Sequence, residues 1–240
     1  MKFIAALFAL LSFASFVQSD KKKIIYLVRR GETEYDNSPI PKILGKSSIP
    51  LSDEGIAHCK GAGDYLANEN IGKIYYSELK RTKQSAEFIA GQHSTKVEMI
   101  KENSFIDISW GIYESYSRPR EFEYEEAENF MLHPEKLIIP QGEDFYSVMN
   151  RLRLFLVKFW ESDEDTCTIV SHGYIINVLS LMLLQAPIEK FWSMNMSPCG
   201  VSKIQMKSLY SFTIEYWNIN HFFKEAEKKY LKNKVSKKNK

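Results

Sequence analysis

Cysteine is scarce in this sequence: Cys59, Cys167 and Cys199 are the only three among 240 residues. An odd number without dense, regular spacing excludes a small scaffold stapled by disulfides, and the spacing fits no zinc-binding pattern. The three are read as core or surface thiols, and no metal or cofactor is expected. Long apolar runs are equally scarce. Phe3 to Val17 is one, but it falls short of the ~20 residues that cross a bilayer. No second run follows, so no integral membrane span is expected. With Lys2 ahead of it and Val17 and Ser19 as small residues before a cut, residues 1–19 have the layout of a signal peptide. No internal repeat is present. The basic stretch 224–240 holds eight Lys and two Glu, but it lacks arginine and a run of interleaved aromatics, which argues against nucleic-acid binding. It is read as a solvated, frayed tail. Because the whole chain carries only +2, the body before the tail is mildly acidic.

What remains, 20–223, has the makeup of one ordinary globular domain, with 44% hydrophobic and 26% charged residues over the chain. The apolar, β-rich run Ile24 to Val28 reads as a buried strand entering a loop at Arg29-Arg30-Gly31. Ser52-Asp53-Glu54 caps a helix running to about Asn68, Ile71 to Tyr76 is a strand, and Leu79 to Ala90 is a helix. The stripe Phe145, Val148, Met149, Leu152, Phe155, Leu156, Phe159 marks a helix over 143–160. Thr166 to Ser171 reads as a strand, Tyr174 to Leu184 as a buried helix, and Val201 to Met206 with Phe212 to Trp217 as late strands. Such alternation predicts a three-layer α/β fold, a mostly parallel sheet with helices on both faces. Chemistry is then expected in loops at the carboxyl ends of the strands.

Three strand-to-helix junctions carry suitable residues. Arg29-Arg30-Gly31-Glu32-Thr33 sets two guanidiniums beside a glycine, an anion site. Arg81, in the first turn after Ser77-Glu78-Leu79-Lys80, completes a phosphate clamp, where exposed helix amides also favour an anion. Ser171-His172-Gly173 brings a histidine to the same edge. Taken singly each is weak; together they mark one site. The charged segment 115–141, with Tyr116, Arg118, Arg120, Phe122 and Tyr124, is placed over the pocket as an insertion. Glu114 and Glu143 either position substrate hydroxyls or line the rim. Asn195-Met196-Ser197 is a glycosylation sequon followed by Pro198.

Leu27-Val28-Arg29-Arg30-Gly31-Glu32-Thr33 resembles the signature of the histidine phosphatase superfamily, phosphoglycerate mutase-like branch, apart from its second arginine. Further landmarks follow in the family's order: Pro50 to Gly55, Ser77 to Thr82, Phe105-Ile106-Asp107 with Gly111 and Glu114, Gly142-Glu143, Val170 to Gly173, and Trp217-Asn218 with His221. The resemblance implies a mechanism in which a histidine after the first arginine takes the phosphoryl group and a carboxyl group protonates the leaving oxygen. On it Arg29, Arg81 and His172 correspond to phosphate holders, Asp107 to the proton donor, and Arg30 to the position of the nucleophilic histidine. A guanidinium has no available lone pair. The resemblance therefore implies a secreted pseudophosphatase that keeps a phosphate site, in which Arg30 joins Arg29, Arg81 and His172, without phosphohistidine turnover. Its ligand is a phosphate-bearing small molecule or phosphorylated macromolecule. The alternatives are an active phosphomonoester hydrolase attacking through His172 or a water, and a purely structural protein. A glycolytic mutase is disfavoured by the leader.

Overall fold

The computed structural model of the chain describes residues 21–39, 42–114, 116 and 123–238. The expectations for residues 1–19 and for Arg118, Arg120 and Phe122 lie outside them.

The first strand, β1 (Lys23–Arg29), forms because alternate residues each have an apolar surface to meet. Ile25 and Leu27 join one buried cluster, while Tyr26 and Val28 join another on the opposite face of the sheet. Helices α1 (Asp53–Leu66) and α2 (Lys80–Ala90) supply Cys59, Ala62, Leu66, Ala86 and Ile89 to the second cluster. Helices α4 (Phe145–Glu161) and α5 (Gly173–Leu184) fill the first, α4 through the predicted stripe from Phe145 to Phe159. A shorter helix, α3 (Tyr124–Leu132), lies within the charged segment and adds Phe130 to that cluster. The caps follow the sequence signals: Ser52 accepts the Gly55 amide at 3.0 Å, and Asp144 accepts the Ser147 amide at 2.8 Å.

The sheet contains β2 (Lys73–Tyr76), β3 (Met99–Lys101), β4 (Thr166–Ser171), β5 (Val201–Ser208) and β6 (Ser211–Ile219) beside β1, in the order β3-β2-β4-β1-β5-β6. β3, β2, β4 and β1 run parallel, and β5 and β6 add an antiparallel edge. The three-layer α/β architecture is thus the expected one, parallel for most of its width. β1 and β4 are in register up to the pair Arg29 and Ser171, and the Arg30 amide then donates to the Ser171 carbonyl at 2.8 Å. This register carries the first and third junctions to one point at the carboxyl edge.

The basic tail differs from its expected form. Residues Phe223–Lys238 form helix α6, which packs on α1. His58 contacts Glu227 at 2.7 Å and stacks on Phe223 with centroids 4.1 Å apart. Gly61 admits the helix closely, since a Cβ there would meet the Ala226 Cβ at 2.8 Å. The seam of Phe223 and Ala226 is too sparse among the lysines to stand out as a stripe. No single helix among the described residues is long and apolar enough to cross a membrane.

Candidate functional site

At the end of β1 the two arginines have different surroundings. Arg29 donates from Nη1 to the Met196 carbonyl at 2.5 Å. Its guanidinium lies over the start of α5, where a Cβ at Gly173 would come within 3.3 Å of the Arg29 Cζ. Arg30 is 5% exposed and makes a bidentate pair with Asp36, Nη1 to Oδ2 at 2.6 Å and Nη2 to Oδ1 at 2.9 Å. Asp36 also accepts the Thr33 amide and hydroxyl, each at 2.7 Å. Burial alone pushes the Asp36 carboxyl up, but the Arg30 charge and the Thr33 donors outweigh it and hold the carboxyl at about 2.

Arg81 emerges from the first turn of α2 fully buried. Its Nη1 donates to the Ser47 carbonyl and its Nη2 to the Gly45 carbonyl, each at 2.6 Å, and Nη2 also reaches Asp107 Oδ2 at 3.1 Å. Arg81 Nε donates to His172 Nδ1 at 3.3 Å, while His172 Nε2 meets Ser77 Oγ at 2.9 Å. An acceptor at Nδ1 places the imidazole proton on Nε2, facing Ser77. Ser77 in turn bonds Thr82 Oγ1 at 2.6 Å, and Thr82 donates to the Leu79 carbonyl at 2.8 Å. Burial first, then Arg81 and Arg30, push His172 well below its ordinary value, so the ring is neutral at physiological pH.

The structure therefore brings together all five residues singled out from the sequence. Arg29, Arg30 and Asp107 line a cavity of ≈360 Å³, within the range of small-molecule sites. Arg81 and His172 stand behind that lining, joined to it through Asp107. Trp110, Phe130, Tyr174 and Trp192 complete an aromatic wall of the same cavity, with ring centroids 5.2 to 5.6 Å apart from Tyr174 through Trp110 and Phe130 to Trp192. A wider hollow of ≈580 Å³ lies at the amino ends of β2 and β4, away from these groups.

Sequence reasoning missed Asp36. No spacing rule links Arg30 to a loop carboxylate six positions on; the turn through Thr33 makes the pair. The two glutamates whose roles were left open both have protein partners. Glu143 is held bidentately by Arg151 at 2.8 and 3.0 Å, and Glu114 accepts the Lys46 amide at 3.1 Å. Asn195 borders the cavity, with its Nδ2 on the Trp192 carbonyl at 2.9 Å. Among the described residues no group of His, Cys, Asp and Glu could hold a metal ion.

Chemically, the edge gathers nearly compensated charge: among the described residues, the three guanidiniums of Arg29, Arg30 and Arg81 lie beside the carboxylates of Asp36 and Asp107. His172 has both ring nitrogens engaged, and Arg30 offers no lone pair.

Residues 25–220 match the family described as histidine phosphatase superfamily (branch 1). Phosphoserine phosphatase 1 of Hydrogenobacter thermophilus is 28% identical over 210 residues, covering 85% of this chain and 98% of that protein. A probable phosphoglycerate mutase, GpmB of Proteus mirabilis, is 27% identical over 188 residues, covering 77% and 85%. The crystal structure of phosphoglycerate mutase from Bacillus anthracis superposes with a TM-score of 0.73 at 17% identity, covering 88% of this chain and 99% of that one, a likeness of fold. With the family matched across almost the whole described domain, the chain belongs to the histidine phosphatase superfamily, branch 1.

Proposed function

We propose that this protein is a pseudophosphatase of the secretory pathway: it binds the phosphoryl group of a phosphate-bearing ligand beside Arg29 and Arg30, and does not turn it over through a phosphohistidine. The observation that carries this is the identity and pairing of Arg30. Positioned where the family resemblance puts the nucleophile, it is a charged group clamped on Asp36. Loss of a covalent nucleophile removes several orders of magnitude in rate, while binding contacts persist. Rerouting through His172 is disfavoured by its surroundings, since Arg81 occupies the Nδ1 lone pair and the Nε2 proton points at Ser77.

The aromatic wall supports a ligand whose phosphate is carried on a flat, apolar body, a small-molecule ester or a phosphorylated aromatic side chain. Rings stack on such bodies with a gain of roughly 0.5–1.5 kcal/mol beyond area burial. Residues 1–19, read as a signal peptide, support delivery to a secretory lumen. The test combines binding and turnover in one preparation. Trp110 and Trp192 report ligand through their fluorescence, and the expected result is saturable quenching by phosphate and, more tightly, by phenyl phosphate, without release of phenol. Hydrolysis by the unaltered chain that His172→Ala abolishes contradicts the proposal, and an absence of saturable quenching removes the phosphate site.

A further inference from the structure

Cys59 in α1 and Cys199 in the turn before β5 lie 140 positions apart in sequence, yet their sulfurs stand 2.8 Å apart, and both residues are fully buried. The structure carries both as free cysteines in direct side-chain contact, the adjacency from which a disulfide can close. We propose that Cys59 and Cys199 form a disulfide in the mature protein, a covalent tie between α1 and the base of the Arg29-Arg30 loop.

The surroundings of the pair support a tie at this point. Cys199 donates its amide to the Arg29 carbonyl at 2.9 Å and to the Arg30 carbonyl at 3.3 Å. It holds φ at 59°, a left-handed conformation that a side-chain-bearing residue keeps only where the neighbourhood over-determines it. Directly against the sulfurs is Gly31, where a Cβ would meet the Cys59 Sγ at 2.7 Å. Cys167 has no share in this arrangement. It lies in the middle of the sheet, paired in register with Ile25 and Lys73. An odd count of three thus resolves into one pair and one core thiol.

Formation proceeds by two thiol-disulfide exchanges with a low-molecular-weight disulfide, here glutathione disulfide. One cysteine thiolate attacks a glutathione sulfur, giving a mixed disulfide and one released glutathione. The second cysteine thiolate then attacks the protein sulfur of that mixed disulfide, forming the Cys59–Cys199 bond and releasing the second glutathione. Two protein thiols lose two electrons, glutathione disulfide gains them, and the two thiol protons end on the two glutathiones. Exchange belongs to folding, before the sulfurs are covered, because in the folded chain both are out of reach of solvent.

The tie does not depend on what the phosphate site binds, and its test is independent of ligand. The full chain is refolded in a mixture of reduced and oxidised glutathione, quenched in acid, denatured and treated with N-ethylmaleimide without reductant, and its intact mass is measured. The expected result is one maleimide, mapped to Cys167, with the Cys59 and Cys199 peptides recovered as a cross-linked pair. A Cys167→Ala variant, folded by circular dichroism, should take none. Three maleimides on the parent, two on the variant, or a cross-link that uses Cys167 overturns the proposal.

Discussion

Replacing Asp36 by Asn removes the counter-charge that holds Arg30, and the size of the effect follows from the pair itself. A carboxyl held at about 2 instead of 3.8 carries about 2 kcal/mol of stability at neutral pH, since each tenfold change in proton affinity is worth roughly 1.4 kcal/mol. Leaving a buried guanidinium without its partner costs in the same direction, about 3 kcal/mol in comparable sites, and the amide oxygen of Asn recovers part of this. The variant is therefore expected to be less stable by about 2–3 kcal/mol at about pH 7, read from the urea midpoint. The sign with pH is fixed. Because the folded carboxyl is depressed, its contribution is complete above the unfolded value and is lost as pH falls through the folded one. The gap between parent and variant should thus hold at about pH 5 and close toward about pH 2. The same change frees Arg30 for a bound anion, so phosphate affinity should rise by about fivefold, on the order of 1 kcal/mol. A variant of parental stability, or a gap that does not close in acid, refutes the view that Arg30 and Asp36 form a buried, ionised pair.

Trp192→Ala should weaken phenyl phosphate by roughly 1 kcal/mol and leave inorganic phosphate unchanged, which a fluorescence titration through Trp110 measures. Deletion of residues 223–240 should remove the α6 helical signal in far-ultraviolet circular dichroism and expose the His58 face of α1. A midpoint lowered by the equivalent of about 2 kcal/mol is expected, whereas a frayed tail would change neither. Sulfate, whose charge is constant, should bind with flat affinity from about pH 6 to 8, because His172 stays neutral there. A transition in that range would show that the imidazole takes up a proton.

Much of the fold was legible because each central segment is apolar for a reason the sequence displays. The run Ile24 to Val28 meets helices on both faces, and the stripe from Phe145 to Phe159 has one core to cover. The convergence of Arg29, Arg81 and His172 was legible too, as residues at successive strand ends of a parallel sheet, and Asp107 through the family resemblance. What escaped depends on the chain folding back on itself. Asp36 reaches Arg30 only through the turn that Thr33 stabilises, and Cys59 meets Cys199 across 140 positions. The second helix face on α1 is masked by the lysines that surround Phe223 and Ala226. The burial of Arg81 and His172 behind the cavity lining likewise has no signature in a motif, which records only which residues arrive at an edge.

The most direct measurement compares aryl phosphate hydrolysis by the full chain with that of its Arg30→His variant, from acidic to neutral pH. If position 30 alone disarms the site, the variant should turn over at least about 100-fold faster than the parent, and the parent should bind phosphate without measurable hydrolysis. Comparable turnover by the parent, or no turnover by either protein, contradicts that claim.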